Sequence, residues 1–151
     1  MEHLSKLYKA GALVSFTAMI VVVVLQVFTR YFIESAPHWT EELARIFFIY
    51  SVAFGTGTGF QNGDFIRLDL IQKYISGRLE RMLNIITDII VVVFAVLLIA
   101  GSIDFIKLGM DELSPALRIT MGFVFLSMLI IGLAIVFFTL AHLLQVLKNK
   151  A

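Results

Sequence analysis

Hydrophobic residues occupy four long stretches of the chain, and short polar segments separate them. A helix that crosses a bilayer needs about 20 mostly apolar residues. Stretches of that kind are residues 10–29, 46–63, 82–103 and 119–147. Because backbone groups in lipid must satisfy their hydrogen bonds within the segment, each stretch is expected to be helical. We therefore predict an all-α integral membrane protein with a single domain over residues 1–151. Its transmembrane helices are expected at roughly 10–32, 43–61, 82–106 and 117–146.

The connection between the second and third predicted helices is amphipathic. Its apolar and charged residues sort partly onto two helical faces, and Gly77 follows as a break. Such a pattern is typical of a helix that lies in the headgroup layer of a membrane. We predict a short interfacial helix over residues 64–76, with a polar loop as the alternative.

Positive charges are distributed unevenly between the two sides of the predicted membrane domain. Eight of the 12 lysines and arginines lie at the termini and in the middle connection, and four lie on the other side. The positive-inside rule then places both termini in the cytoplasm and the two remaining loops outside. The first apolar stretch is longer than the core of a signal peptide, so we expect it to be retained.

The composition mainly excludes certain kinds of site and partner. The chain is 60% hydrophobic and 15% charged, has a net charge of +1, and contains no cysteine. Disulfides and thiolate metal sites are therefore excluded, and scattered basic residues argue against a nucleic-acid partner. The three histidines do not face one another within the predicted helices as haem ligands would. We predict no catalytic residue, no cofactor, no metal site and no enzymatic activity.

The start of the second predicted helix concentrates polar residues. Trp39 suits a membrane interface, and Thr40 is a good N-cap that would place Glu41 and Glu42 in the first turn. Arg45 follows them by four and three residues, so the three charged side chains are expected to form a surface ion cluster. The cluster is interpreted either as a helix cap or as a docking surface for a partner.

Small and charged residues inside the predicted helices give three further hypotheses. Gly55 and Gly59 lie four residues apart, a spacing that favours close helix packing over a permeation role. Asp88 lies about 10 Å along the third helix, where we expect it to face a cationic group of this chain or of a partner. Asp104 and Lys107 are spaced for an interfacial salt bridge.

The loop before the fourth predicted helix contains Ser114 followed by Pro115. Serine at the N-cap and proline in the first turn are typical of a helix start. We therefore expect this pair to open the fourth helix. Contact with a partner is the alternative.

In this order and spacing, the motifs resemble the small membrane subunit of the tripartite ATP-independent periplasmic (TRAP) transporters. The resemblance covers nearly the whole chain and rests on WTEELARIFF (39–48), NGDFIRLDL (62–70) and ELSPALRITMGF (112–123). It adds Asp64 and Asp69 to the candidates for partner contact or structural support. The chain departs from the family pattern at Thr120 and around Ile130, where proline is frequent.

The resemblance implies a subunit of a sodium-driven organic acid importer in the bacterial cytoplasmic (inner) membrane. A large multispan subunit would move the substrate and bind sodium, and a periplasmic binding protein would capture the substrate. The small subunit would be a static scaffold for the large one and a docking surface for the binding protein. Two alternatives remain: a self-contained small transporter that uses Asp88 as its proton site, and a membrane anchor of another complex.

Overall fold

Four long helices make up most of the protein, for which a computed structural model describes residues 2–32, 37–62 and 78–148. They are α1 (Glu2–Phe32), α2 (His38–Asn62), α3 (Arg78–Met110) and α4 (Met121–Lys148). Each contains a segment long and apolar enough to cross a bilayer: Leu4–Phe32, His38–Phe60, Met82–Met110 and Met121–Leu144. For the described residues, the prediction of an all-α protein with four helices long and apolar enough to span a membrane is confirmed.

Two parts of the predicted topology remain predictions. The interfacial helix at 64–76, with Asp64 and Asp69, lies outside the described residues. The cytoplasmic location of both termini depends on the positive-inside rule alone.

Helix α2 begins three residues earlier than the N-cap assignment predicts. It starts at His38, and the carbonyl of Pro37 accepts hydrogen bonds from the backbone N–H of Thr40 at 3.0 Å and from its hydroxyl at 2.7 Å. The assignment of Thr40 as N-cap is therefore wrong, because Pro37 already occupies the position whose carbonyl accepts the first helical bond. Glu41 still falls in the first turn.

Helix α4 begins later than expected, at Met121. Residues 115–117 form a turn, and Arg118 has a φ of 54°, in the left-handed region. A residue in that conformation cannot continue a right-handed helix. The expectation that Ser114 and Pro115 open α4 is therefore wrong. They belong instead to the α3–α4 loop (residues 111–120), whose two sides are joined by a bridge between Leu113 and Thr120.

The helices form an open row in the order α1, α2, α4, α3. Helix α2 packs against both α1 and α4, and α4 also packs against α3. Helices α1 and α3 lie at the edges of the row and do not pack extensively on each other. One third of the most apolar segment of α4 is buried, compared with 6% for α1. Lipid or a partner must therefore cover most of the apolar surface.

Tyr8 of α1 is the centre of the contact with α2 and α4. Its ring packs edge-on against Phe54 and Phe138, with ring centroids 5.9 Å away in each case, and its hydroxyl donates to the carbonyl of Ile130 at 3.4 Å. The ring also lies directly over Gly57, where any Cβ atom would overlap with it. Close packing of α2 within this chain therefore involves Gly57, a residue that the predicted pair did not include.

The two glycines of the predicted packing pair have different surroundings. A Cβ atom at Gly55 would meet nothing within 4 Å, and Gly59 lies partly buried one turn further along α2. The neighbouring Thr56 and Thr58 hydroxyls donate to carbonyls of their own helix, at 2.8 and 2.7 Å. No other described helix of this chain packs closely against Gly55, so a close contact there would need a helix of a partner.

Small residues also allow α3 and α4 to approach. A Cβ atom at Gly109 would lie 2.7 Å from the backbone nitrogen of Gly122, so neither position tolerates a larger side chain without movement. Ser102 and Ser127 are almost fully buried, and each donates its hydroxyl to a carbonyl one turn earlier in its own helix. These side chains satisfy their polar atoms without separating the helices.

We expect the Gly57→Leu variant to lose about 1 to 3 kcal/mol of stability, because the new side chain must displace the Tyr8 ring. Thermal unfolding of the detergent-solubilised protein, followed by size-exclusion chromatography, would measure the change. Gly55→Leu is the matched control two residues away, since space is open there. Equal melting temperatures for the two variants would contradict this account of the α1–α2 contact.

Candidate functional site

The start of α2 and the α3–α4 loop are joined by the side chain of Glu42. Its Oε2 atom accepts hydrogen bonds from the backbone N–H groups of Ala116 at 2.8 Å and Leu117 at 2.9 Å. Hydrogen bonds to an ionised group are shorter and stronger than neutral ones. Glu42 therefore anchors the loop to α2.

The loop is folded so that it presents two successive N–H groups to that carboxylate. The Ser114 N–H donates to the Ile119 carbonyl at 2.8 Å, and the Arg118 N–H donates to the Ser114 carbonyl at 3.2 Å. The Ile119 N–H in turn donates to the Ser114 hydroxyl oxygen at 3.3 Å. Consecutive N–H groups in such a turn form a concave binding site for an anionic oxygen. Here the anion is supplied by the chain itself.

Glu41 and Arg45 form a separate, exposed pair. The Arg45 Nη2 atom lies 3.3 Å from Glu41 Oε1, and about two thirds of each side chain is exposed. Exposed pairs of this kind contribute little to stability. The predicted three-residue cluster is thus divided, since Glu42 bonds to the loop while its two neighbours remain available at the surface. Trp39 is also exposed, at 41%.

An open groove of about 760 Å³ runs between the first three turns of α2 on one side and the α3–α4 loop with the first turn of α4 on the other. Polar and aromatic side chains line one end, and aliphatic side chains line the other. The lining residues are His38, Trp39, Glu41, Glu42, Arg45, Ile46, Ile49, Pro115, Ala116, Met121 and Val124.

Asp88 meets His142 between α3 and α4. The Asp88 Oδ2 and His142 Nδ1 atoms are 2.8 Å apart, and the two side chains are 15% and 32% exposed. No sequence motif connects these two residues. Each is a single titratable residue in an otherwise apolar part of neighbouring antiparallel helices, and that signal could have suggested the pair.

The predicted salt bridge near the end of α3 is present. Lys107 Nζ lies 3.6 Å from Asp104 Oδ1, with both side chains largely exposed. No group of three or more histidine, aspartate or glutamate side chains that could hold a metal ion occurs among residues 2–32, 37–62 and 78–148.

The sequence motifs could not predict the contact between Glu42 and the loop. Glu42 is separated from Ala116 by 74 residues, and the acceptor is a side chain while the donors are backbone groups. Backbone donors leave no residue-type signature in a sequence. The helix-start pattern at Ser114 was a real signal of a local turn, but it did not reveal which anion the turn binds.

We expect Glu42→Ala to free the α3–α4 loop from α2, because the Ala116 and Leu117 N–H groups lose their acceptor. Hydrogen exchange at these two amides should become on the order of tenfold faster. Glu42→Gln, which keeps an oxygen acceptor without the charge, should have a smaller effect. Glu41→Gln is the neighbouring control, and an equal change in that variant would contradict the assignment.

Comparison with known proteins agrees with the resemblance described above. The family model for the DctQ component of tripartite ATP-independent periplasmic transporters matches residues 19–149. A protein of Haemophilus influenzae described as a TRAP transporter small permease is 21% identical over 150 residues, which are 99% of this chain and 91% of that protein. A second such protein from the same organism is 24% identical over 117 residues, covering 78% of this chain and 73% of that protein.

A longer relative shares part of the sequence. The isethionate TRAP transporter permease protein DctMQ of Oleidesulfovibrio alaskensis is 31% identical over 87 residues, which are 56% of this chain and 14% of that protein. The family is a transporter component and not an enzyme. Since the family model covers most of the chain, this protein belongs to the DctQ family of small TRAP transporter permease subunits.

Proposed function

We propose that this subunit is the static scaffold of a sodium-driven TRAP transporter that imports an organic acid across the bacterial cytoplasmic membrane. A large multispan subunit moves the substrate and binds the sodium ions, and a periplasmic binding protein delivers the substrate. The observation that carries the proposal is the open row of helices, whose two edges present broad apolar surfaces.

The edges of the row suit attachment to a larger membrane protein. Leu13 and Val14 of α1 are 68% and 66% exposed, and Leu97 of α3 is 67% exposed. Such side chains are compatible with lipid and with partner helices. A row four helices wide has a larger footprint in the bilayer than a compact bundle, so it resists tilting when a neighbour moves.

Contacts within the row are suited to a part that stays fixed. Tyr50 of α2 donates its hydroxyl to the carbonyl of Phe123 in α4 at 2.5 Å, and Tyr8 of α1 donates to that of Ile130. These bonds connect side chains to backbone across three helices. A hydrogen bond to backbone in an apolar environment is costly to break unless another donor replaces it.

The longer relative supports a stable association with a large subunit. In the DctMQ protein of Oleidesulfovibrio alaskensis, the segment similar to this chain takes up only 14% of the polypeptide. A small-permease segment is therefore covalently joined to a much longer permease in that protein. We infer that the separate chain occupies an equivalent position by non-covalent contact.

The exposed polar residues near the α3–α4 loop are candidates for docking of the binding protein. Asp111, Glu112 and Arg118 are exposed on the loop, which Glu42 joins to the start of α2, where Glu41 and Arg45 form their surface pair. Because Glu42 holds the loop in place, this surface is preformed. Trp39 and Pro115, also exposed, adjoin it.

Uptake by purified components tests the proposed function. Proteoliposomes that contain both membrane subunits should accumulate substrate when the binding protein and an inward sodium gradient are present. Accumulation should fall to background when this chain is omitted or when potassium replaces sodium. Accumulation by this chain alone, or full uptake without it, would overturn the proposal.

A variant at Gly55 separates loss of association from loss of folding. Gly55 lies beside open space, so Gly55→Leu should leave the melting temperature of the isolated chain unchanged. If the α2 face containing Gly55 contacts the large subunit, the same variant should reduce copurification of the two chains. Undiminished copurification would remove this face from the proposed interface.

We expect Asp88→Asn to retain uptake within about twofold of wild type, because an amide can still hydrogen-bond to His142 and a scaffold needs no titratable group there. Asp88→Leu should instead destabilise the chain by about 1 to 3 kcal/mol by depriving His142 of this bond. Loss of uptake in Asp88→Asn at unchanged stability would favour the alternative in which Asp88 carries a proton.

A further inference from the structure

We propose that the groove between α2 and α4 binds one membrane phospholipid whose headgroup carries both a phosphate and a primary ammonium, as in phosphatidylethanolamine. This inference concerns the chain itself and goes beyond the proposed scaffold role. It follows from the direction of the groove, from the charges at its polar end and from the apolar residues at its other end.

The groove runs from the N-terminal ends of α2 and α4 towards the middle of these two parallel helices. Helices α2 and α4 point the same way, since Glu42 meets Ala116 and, further along, Tyr50 meets Phe123. The lining extends from His38 to Ile49 on α2, a rise of eleven residues that corresponds to about 16 Å. Both helices are long and apolar enough to span the membrane. The groove therefore leads from the membrane surface into the hydrocarbon region, as a lipid does.

The polar end carries one charge of each sign at the surface. Glu41 and Arg45 line the groove, lie 3.3 Å apart and are both largely exposed. Arginine binds phosphate through several N–H groups, and a carboxylate accepts hydrogen bonds from an ammonium group. A headgroup with a phosphate and an ammonium can therefore bind Arg45 and Glu41 together. The other carboxylate in the lining, that of Glu42, already accepts bonds from the loop amides.

Charge complementarity favours this headgroup over the other common ones. A phosphatidylglycerol headgroup has no cation, so its phosphate would lie beside Glu41 without compensation. A phosphatidylcholine headgroup has a cation but no N–H group to donate to the carboxylate. Trp39 at the mouth is a residue type that is enriched where headgroups meet acyl chains.

The inner end of the groove is suited to an acyl chain. Ile46 and Ile49 of α2 face it from one side, and Met121 and Val124 of α4 line it from the other. Methionine is flexible enough to adapt to an acyl chain of variable shape. The apolar end therefore provides a place for the upper part of one chain while the headgroup binds at the mouth.

Native mass spectrometry of the full-length chain tests the headgroup preference. The chain would be released from nanodiscs that contain equal amounts of phosphatidylethanolamine, phosphatidylcholine and phosphatidylglycerol. We expect one phosphatidylethanolamine to be retained in about tenfold preference to the other two, and Arg45→Gln or Glu41→Gln to reduce its retention by about tenfold. Both side chains are exposed, so these variants should fold normally.

The second exposed ion pair provides matched controls. Asp104 and Lys107 form a similar pair on α3 but do not line the groove, so Asp104→Asn and Lys107→Gln should leave retention unchanged. Equal retention of the three lipids, or equal effects of the two pairs of variants, would overturn the proposal.

Crosslinking in the intact membrane identifies the occupant directly. A photoactivatable residue at Val124 faces the apolar end of the groove and should yield an adduct with the mass of a phosphatidylethanolamine. An adduct with another protein at this position, and none with lipid, would show that a partner covers the groove and would overturn the proposal. Neither experiment measures transport, so their outcome is separate from that of the uptake test.

Discussion

Helices surrounded by lipid gain little from burying apolar side chains against one another, and this constraint governs how the chain holds together. The helices approach through small residues, as at Gly57 under the Tyr8 ring and at Gly109 beside Gly122. Polar atoms add a few directed bonds between helices, such as that from Tyr50 to the Phe123 carbonyl. The result is a row in which neighbouring helices pack closely and the two outer helices leave their outer faces uncovered.

The most specific polar contact lies where α2 begins, between that helix and the α3–α4 loop. Glu42 reaches from α2 to two backbone amides of the α3–α4 loop, and the loop folds around Ser114 so that those amides point at the carboxylate. One side chain thereby determines where a ten-residue loop sits relative to α2. The surface around Trp39 and Arg45 depends on this anchoring, because the loop forms one wall of the groove. Binding surfaces that are preformed avoid the entropic cost of ordering a loop on contact.

The scaffold and lipid proposals describe one physical arrangement. A subunit that stays fixed while its neighbour moves needs contacts with both that neighbour and the bilayer. In these proposals the exposed edges of α1 and α3 would provide apolar contact, and the groove would add a directed contact with a headgroup. A bound lipid would also fix the depth of α2 and α4 in the membrane, since its phosphate lies at the level of the headgroups. Neither role requires a titrating residue within the row.

Sequence alone determined the number and type of the four long helices, because four apolar stretches of sufficient length, with Asp88 as their single charged residue, are typical of helices that cross a bilayer. It also yielded the local pairs of Glu41 with Arg45 and Asp104 with Lys107, whose spacing places them on one helical face. Both helix-start assignments, at Thr40 and at Ser114, were wrong because capping residues also stabilise turns and the interior of a first turn.

Only the tertiary structure decided which distant groups meet. Three contacts join different helices or a helix and a loop. They are the bonds of Glu42 to the amides of residues 116 and 117, the contact of Asp88 with His142, and the packing of Tyr8 over Gly57. A local pattern reports the periodicity of one helix, whereas these contacts depend on how far each helix is rotated and shifted against its neighbour. In lipid, no single apolar face sets that rotation, so the packing of a few small and polar residues does.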